Sequence, residues 1–362
     1  MSKHKIVLFG PSLNAVSGVS THVRILLASD LLQDFELLHF QVGSEGRREN
    51  ALQKLTRFVF SPFQLALFLL RTGAEVVHLN ASLDKKAYWR DLAYSIVARL
   101  LGRRIVNQIH GGPVPQEFFR GNALLTWVLR RFLIASEVVT VLSSAELEAY
   151  RAFDARINVH QVPNGIDPAG LADQARSFNT DEPLKIVYVG RLLRAKGLFD
   201  VIEALAELKR AGREFGLRIA GEGPDRYELI AASRESGLAD RVQFLGSVLG
   251  AEKYRLWLDS DVFVLPSYVE GLPYSLLEAM AAGCVPITTP LAAIPDVVRH
   301  GEHGLFVPAK DPAALAGAVA TLDGDRESLV RMARAARRRV LGRYTAERLA
   351  EDFRVLYGGC LG

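Results

Sequence analysis

Cysteine is nearly absent: the chain has only Cys284 and Cys360. Two thiols so far apart form neither a ligand spacing nor a disulfide framework, so a cystine-stapled scaffold is excluded and a reducing compartment is expected. Long apolar runs are missing too. The longest, Phe58 to Leu70, is interrupted by Ser61, Pro62 and Gln64 and is too short to span a bilayer. The amino-terminal run in MSKHKIVLFG stops at Gly10 and Pro11 with no cleavage pattern after it, so export is not expected and a cytoplasmic location is. There is no long internal repeat, no low-complexity segment and no obvious Asp-x-Asp ligand pair where a strand ends, so no metal site is expected. Gly221-Glu222-Gly223 follows a strand but lacks the third glycine of a dinucleotide fingerprint.

What is present is ordinary for a soluble globular protein: 49% of the 362 residues are hydrophobic and 23% are charged, enough for two domains with real cores. Short apolar runs alternate with amphipathic stretches, which predicts an α/β architecture with parallel sheets. The first series of strands is expected at Lys5–Phe9, Glu36–Phe40, Val76–Leu79, Ile105–Ile109, Val138–Leu142 and Val159–Val162, with helices such as Ser20–Ser29 and Lys86–Leu101 between them. A second series is expected at Lys185–Val189, Leu217–Ala220, Val242–Phe244, Val262–Leu265, Val285–Thr288 and Gly304–Val307. The polar stretch between them, with Pro168 and Pro183, divides the chain into a domain at 1–167, a linker at 168–183 and a domain at 184–345. A last helix follows in 346–362, with Leu349, Ala350, Phe353 and Leu356 at helical spacing. Two doubly wound, Rossmann-like domains facing each other across a cleft are therefore expected, with ligands at the carboxyl ends of the strands.

The sharpest chemical feature is the segment DVFVLPSYVEGLPYSLLEAMAAGCVPI. A strand runs into a loop carrying Glu270, and a helix starting near Pro273–Tyr274 carries Glu278. Backbone amides of Leu272, Tyr274, Ser275 and Leu276 at that helix start, with the helix dipole, suit a diphosphate, and the two carboxylates suit sugar and ribose hydroxyls. An E-x7-E pair alone arises often by chance; the strand–loop–helix setting is what gives it meaning. In YVGRLLRAKGLFDVIEA, Arg191 and Lys196 occupy the loop after a strand, where a guanidinium fork and an ammonium can neutralise a leaving diphosphate without a metal; Arg194 is read as a bystander. In IVNQIHGGPVP, His110 follows a buried-looking strand, and Gly111 and Gly112 let a ligand approach the backbone. In GPSLNAVSGVSTHV, a loop with Gly18 presents amides toward the same cleft, a weak signal by itself.

In order and spacing, SGVSTHV, HGG, VPNGID, VGRLLRAKG, IAGEGP, VQFLG, the Glu270–Glu278 segment and GEHGLFV resemble the retaining glycosyltransferases of family 4, which have the GT-B fold. The resemblance covers nearly the whole chain and is strongest from Gln161 to Val307. It implies that Arg191 and Lys196 bind the donor diphosphate, Glu270 contacts the transferred sugar, Glu278 binds the ribose, and backbone at Leu272–Leu276 also holds the donor. It further implies that His110 lies near the reacting centre, Gly18 approaches the diphosphate, Gly246 and Ser247 face the base, and the final helix returns to the first domain. Ser17 departs from the family, many of whose members have a second glycine there.

The implied reaction transfers a sugar, with retention, from a nucleotide-diphosphate donor (a UDP- or GDP-sugar) to a glycan or lipid-linked acceptor, in surface polysaccharide or glycolipid synthesis. No cofactor and no nucleic-acid partner are implied. Rival readings are a sugar-nucleotide epimerase, a dehydrogenase and a non-catalytic nucleotide-sugar binder; the first needs acid/base groups not identifiable here. Charge suggests one further partner. Residues 1–180 carry 20 Lys+Arg against 15 Asp+Glu, whereas 181–362 carry 24 against 25. With Phe58–Leu70 and the pairs Arg103–Arg104 and Arg130–Arg131, this predicts peripheral docking on an anionic membrane surface.

Overall fold

A computed structural model describes residues 3–47, 49–171, 178 and 181–362. Much of the expected linker, 172–177 and 179–180, therefore lies outside the described residues. The chain forms two compact units, Met1–Asp167 with Ala346–Gly362, and Pro168–Thr345.

In the first unit, strands β1 (His4–Gly10), β2 (Phe35–Gln41), β3 (Val76–Ala81), β4 (Arg104–Ile109), β5 (Val138–Val141) and β6 (Val159–Gln161) form one sheet in the order β2-β1-β3-β4-β5-β6. Every pair is parallel. Its helices are α1 (Gly18–Ala28), α2 (Ala51–Thr72), α3 (Lys85–Leu100), α4 (Pro115–Phe118), α5 (Ala123–Ile134) and α6 (Ser144–Phe153). Strands buried on both faces read as continuous apolar runs, which is why β3 carries no exposed residue. Leu65 and Leu69 of α2, Tyr88 and Tyr94 of α3 and Phe132 of α5 share one core with Val77 and Leu79 of β3. A second core, built on Ile6 and Leu8 of β1, takes Val23 and Leu26 of α1.

The second unit holds β7 (Leu184–Val189), β8 (Phe215–Ala220), β9 (Val242–Gly246), β10 (Val262–Leu265), β11 (Val285–Thr288) and β12 (Leu305–Phe306), ordered β12-β11-β10-β7-β8-β9 and parallel throughout. Its helices are α7 (Leu198–Arg210), α8 (Arg226–Glu235), α9 (Gly250–Leu258), α10 (Tyr274–Ala281), α11 (Ile294–Val297), α12 (Pro312–Gly324) and α13 (Arg326–Arg343). The last helix, α14 (Ala346–Leu361), belongs to the first unit: Phe353 and Tyr357 are fully buried in the second of its cores. There the Tyr357 hydroxyl lies 2.6 Å from His78 Nδ1.

Both sheets are doubly wound, and each has one point where the winding reverses. It lies between β1 and β3 in the first unit and between β7 and β10 in the second. At such a point the loops leaving two neighbouring strands diverge to opposite faces and open a crevice at the strands' carboxyl ends. Of the loops named from the sequence, those after β1, β7 and β10 leave strands that flank these points, while those of His110 and Ser247 follow β4 and β9.

Candidate functional site

In the second unit, the loop after β7 carries Arg191 and Lys196, and the loop after β10 carries Glu270. Backbone contacts pin the first loop on both sides. Gly190 N–H donates to Ala220 C=O (3.0 Å) and Leu192 N–H to Glu222 C=O (3.0 Å), extending the β7–β8 pairing beyond the strands. Gly221, at φ +144°, makes this possible: a Cβ there would sit 1.8 Å from the Gly190 carbonyl oxygen. On the other side Tyr268 N–H donates to Ala195 C=O (2.8 Å), and Gly197, at φ +72°, packs against the Pro266 carbonyl.

So held, Lys196 Nζ donates to Glu270 Oε1 at 2.6 Å, and Ser267 Oγ donates to the same oxygen at 2.7 Å. Glu270 Oε2 accepts no hydrogen bond among the described residues, leaving it for a hydroxyl donor. The pair is largely shielded, with side chains 23% and 6% exposed. Arg191 is exposed, and its guanidinium has no hydrogen bond or ion pair among the described residues. Arg194 pairs with Glu228 and lies 4.2 Å from the Phe199 ring centre, so its charge is already used.

The helix starts where expected, at Tyr274, but not all of its first amides are open. Pro273 is the N-cap rather than the first helical residue, and no side chain caps α10. Its carbonyl accepts from both Leu276 N–H (3.2 Å) and Leu277 N–H (3.4 Å), so the Leu276 amide is not open to a ligand. The side chains of Leu272, Tyr274 and Leu276 are buried, which anchors this turn, and Ser275 is half-buried beside them. Burial, followed by the charge of Glu278, pushes the Tyr274 hydroxyl well above its usual range and keeps it neutral. Glu278 accepts from Lys253 Nζ of α9 at 2.7 Å. Gly246 ends β9 at φ +71°, where its carbonyl accepts from Gly221 N–H (2.7 Å), and Ser247 next to it is exposed.

The first unit brings together a different set. His110 follows β4, and its amide donates to Ala81 C=O at 2.8 Å. Its Nε2 lies 2.7 Å from Asn80 Oδ1, while Asn80 Nδ2 donates to Phe9 C=O at 2.7 Å. A carbonyl only accepts, so the amide orientation of Asn80 is fixed and His110 must carry its proton on Nε2. Burial depresses the His110 pKa to about 4, so at neutral pH Nδ1 is a bare acceptor, suited to a sugar hydroxyl and not to a phosphate oxygen. His22 of α1 packs edge-on against His110 with ring centroids 4.8 Å apart. Burial, then His110 and His78, lower the His22 pKa well below the usual value.

Gly112 has a reason of its own, distinct from ligand approach: at φ +115°, a Cβ would lie 2.6 Å from the Leu83 carbonyl oxygen. Gly18 is the first residue of α1, and the preceding Ser17 is its N-cap, accepting from Ser20 N–H at 3.3 Å. A serine there thus supplies a cap that glycine cannot.

Residue patterns missed Asn80, His22, Ser267 and Lys253. Asn80 left one trace, as a polar residue near the end of the buried run VVHLNA at a strand's carboxyl end. Ser267 and Lys253 left none, because their roles depend on contacts between separate loops and helices.

Two family models match the chain, Glycosyltransferase Family 4 over residues 17–169 and Glycosyl transferases group 1 over residues 172–339. The GDP-mannose-dependent alpha-(1-6)-phosphatidylinositol monomannoside mannosyltransferase of Mycobacterium tuberculosis is 31% identical over 269 residues, 70% of this chain and 69% of that protein. The glycogen synthase of the same organism is 33% identical over 220 residues, 60% of this chain; the match spans about half, 52%, of that longer relative. Among solved structures, a sucrose-phosphate synthase from Thermosynechococcus elongatus superposes with a TM-score of 0.79 at 20% identity, covering 99% of each chain. The fold is GT-B, two Rossmann-like units in one chain. The chain belongs to glycosyltransferase family 4.

Proposed function

We infer that this chain is a retaining glycosyltransferase that moves a sugar from a UDP- or GDP-sugar to a glycan or lipid-linked acceptor in surface polysaccharide or glycolipid synthesis. The observation that carries the reading is Lys196 paired with Glu270 where the winding of the second sheet reverses, with the exposed Arg191 on the same loop as Lys196. Breaking the bond between the anomeric carbon and the phosphate oxygen builds negative charge on the leaving diphosphate and positive charge on the sugar ring. Arg191 meets the first directly. Lys196 swings from Glu270 to the diphosphate, and Glu270 then faces the sugar. Glu278 holds the ribose, and Gly246 and Ser247 face the base. His110 takes a sugar hydroxyl through Nδ1, and Gly18 lies against the diphosphate. Retention follows a front-face course in which the departing phosphate oxygen takes the acceptor's proton. The two cations do the work of a metal ion. A lipid acceptor is favoured by the name of the mannosyltransferase relative, which acts on a phosphatidylinositol monomannoside.

Screening UDP- and GDP-sugars with a panel of glycan and lipid-linked acceptors tests this. One donor must yield nucleoside diphosphate and a product with the donor's anomeric configuration by NMR, at an unchanged rate in the presence of a chelator. Turnover that needs added magnesium or manganese refutes the metal-independent course, an inverted product refutes retention, and interconversion of the nucleotide-sugar without transfer refutes the transferase reading.

A further inference from the structure

Helix α2 is apolar on two sides. Leu65 and Leu69 face the core, yet Leu52, Val59, Phe63 and Leu70, spaced by seven, four and seven residues, fall on one line along the outside and are all at least half exposed; Phe63 is 71% exposed. A helix apolar all round is a buried helix, and this one is buried on one side only. The layer continues the theme. α3 and α5 enter the same core as α2, so they lie on the same face of the sheet, and they present Trp89, Leu100 and Trp127 outward.

The charge of this layer says what covers it. The three helices, 51–72, 85–100 and 123–134, hold nine Lys and Arg residues and one acid. That acid, Asp91, is buried and paired with Arg90. Lys54, Arg71, Lys85, Lys86 and Arg131 have no ion-pair partner among the described residues. The face ends at α6, where Glu146 and Glu148 appear. Such a uniformly cationic surface repels a second copy of itself. Apolar side chains, outward tryptophans and unpaired cations together match the boundary of an anionic bilayer, where apolar groups enter the acyl region, indole rings sit at headgroup depth and cations meet lipid phosphates. No helix among the described residues is long and apolar enough to cross a membrane, so the contact is one of lying on the surface.

The geometry points to the outer face of α2, α3 and α5 as a docking surface for anionic lipid. This stands apart from the transfer reaction and survives its failure. The full chain is mixed with vesicles of phosphatidylglycerol and phosphatidylcholine, or of phosphatidylcholine alone, and sedimented. Binding is expected to the anionic vesicles, weakening as salt rises. Trp89 and Trp127 emission shifts to the blue on binding, while Trp257, fully buried in the second unit, stays silent. Phe63→Asp with Leu70→Asp lowers partitioning roughly tenfold or more, with the far-UV spectrum unchanged because both side chains are already exposed. Lys54→Glu with Arg71→Glu removes the preference for anionic lipid. The proposal is overturned if the protein stays in the supernatant with anionic vesicles at low salt, or if neither double variant changes partitioning. It is equally overturned if the chain self-associates through this face, with Phe63→Asp dissolving a dimer that ignores vesicles.

Discussion

Acid will loosen the first unit through its buried histidines. His78 is completely buried, and burial, then the neighbouring His110, hold its pKa at about 3 against about 6.5 in the unfolded chain. The folded state thus refuses a proton that the unfolded state accepts. Stability is complete above about pH 6.5 and is lost as pH falls toward the folded value. At about pH 5 the loss from His78 is about 2 kcal/mol. His110, depressed to about 4 by burial but partly open to solvent, adds up to about 2 kcal/mol. Asp91 acts in the opposite direction. Burial raises its pKa to about 6 despite Arg90, so it takes a proton in the fold and restores about 1 kcal/mol at the same pH. The net loss between about pH 7.5 and about pH 5 is about 1–3 kcal/mol, and His22, lowered by burial and by its two histidine neighbours, deepens it. Urea unfolding at the two pH values measures the loss, and histidine ring-proton shifts by NMR assign it. Equal stability at both pH values, or a midpoint near 6.5 for His78, refutes the reasoning.

Three substitutions probe the sites more locally. Asn80→Ala removes the group that, among the described residues, fixes the His110 tautomer, so kcat falls by about tenfold or more while the donor KM changes little; steady-state kinetics on a protein of unchanged circular dichroism checks this. Glu270→Gln removes the charge that competes for Lys196, so calorimetry will find the nucleoside diphosphate bound more tightly even as turnover drops. Gly221→Ala forces a methyl group into the Gly190 carbonyl at a positive φ, destabilising the second unit by about 3 kcal/mol or more in a thermal or urea melt.

The strands were legible because parallel strands buried on both faces are continuous apolar runs; Val262–Leu265 and Val285–Thr288 fall where the runs predict them. Ends were less so. β12 is only Leu305–Phe306, although Gly304–Val307 is apolar, because Gly304 packs against the Pro286 carbonyl and takes part only in a bridge with His300. Arg191, Lys196, Glu270 and Glu278 could be singled out because strand-to-helix loops in a doubly wound sheet gather at one end. Their partners could not. Lys196 and Glu270 stand 74 residues apart, and only the reversal of winding between β7 and β10 makes them neighbours. The outward apolar line of α2 was legible as hydrophobicity but not as exposure, since an apolar run does not say which side the core takes.

The central claim, that the loop after β7 holds the donor's diphosphate, is tested most directly by titrating a nucleoside diphosphate calorimetrically into the wild type, Arg191→Ala and Lys196→Ala. Each variant loses a charge-assisted contact worth about 1.5–3 kcal/mol, and so binds about 10- to 100-fold more weakly. Wild-type affinity in both variants contradicts the account.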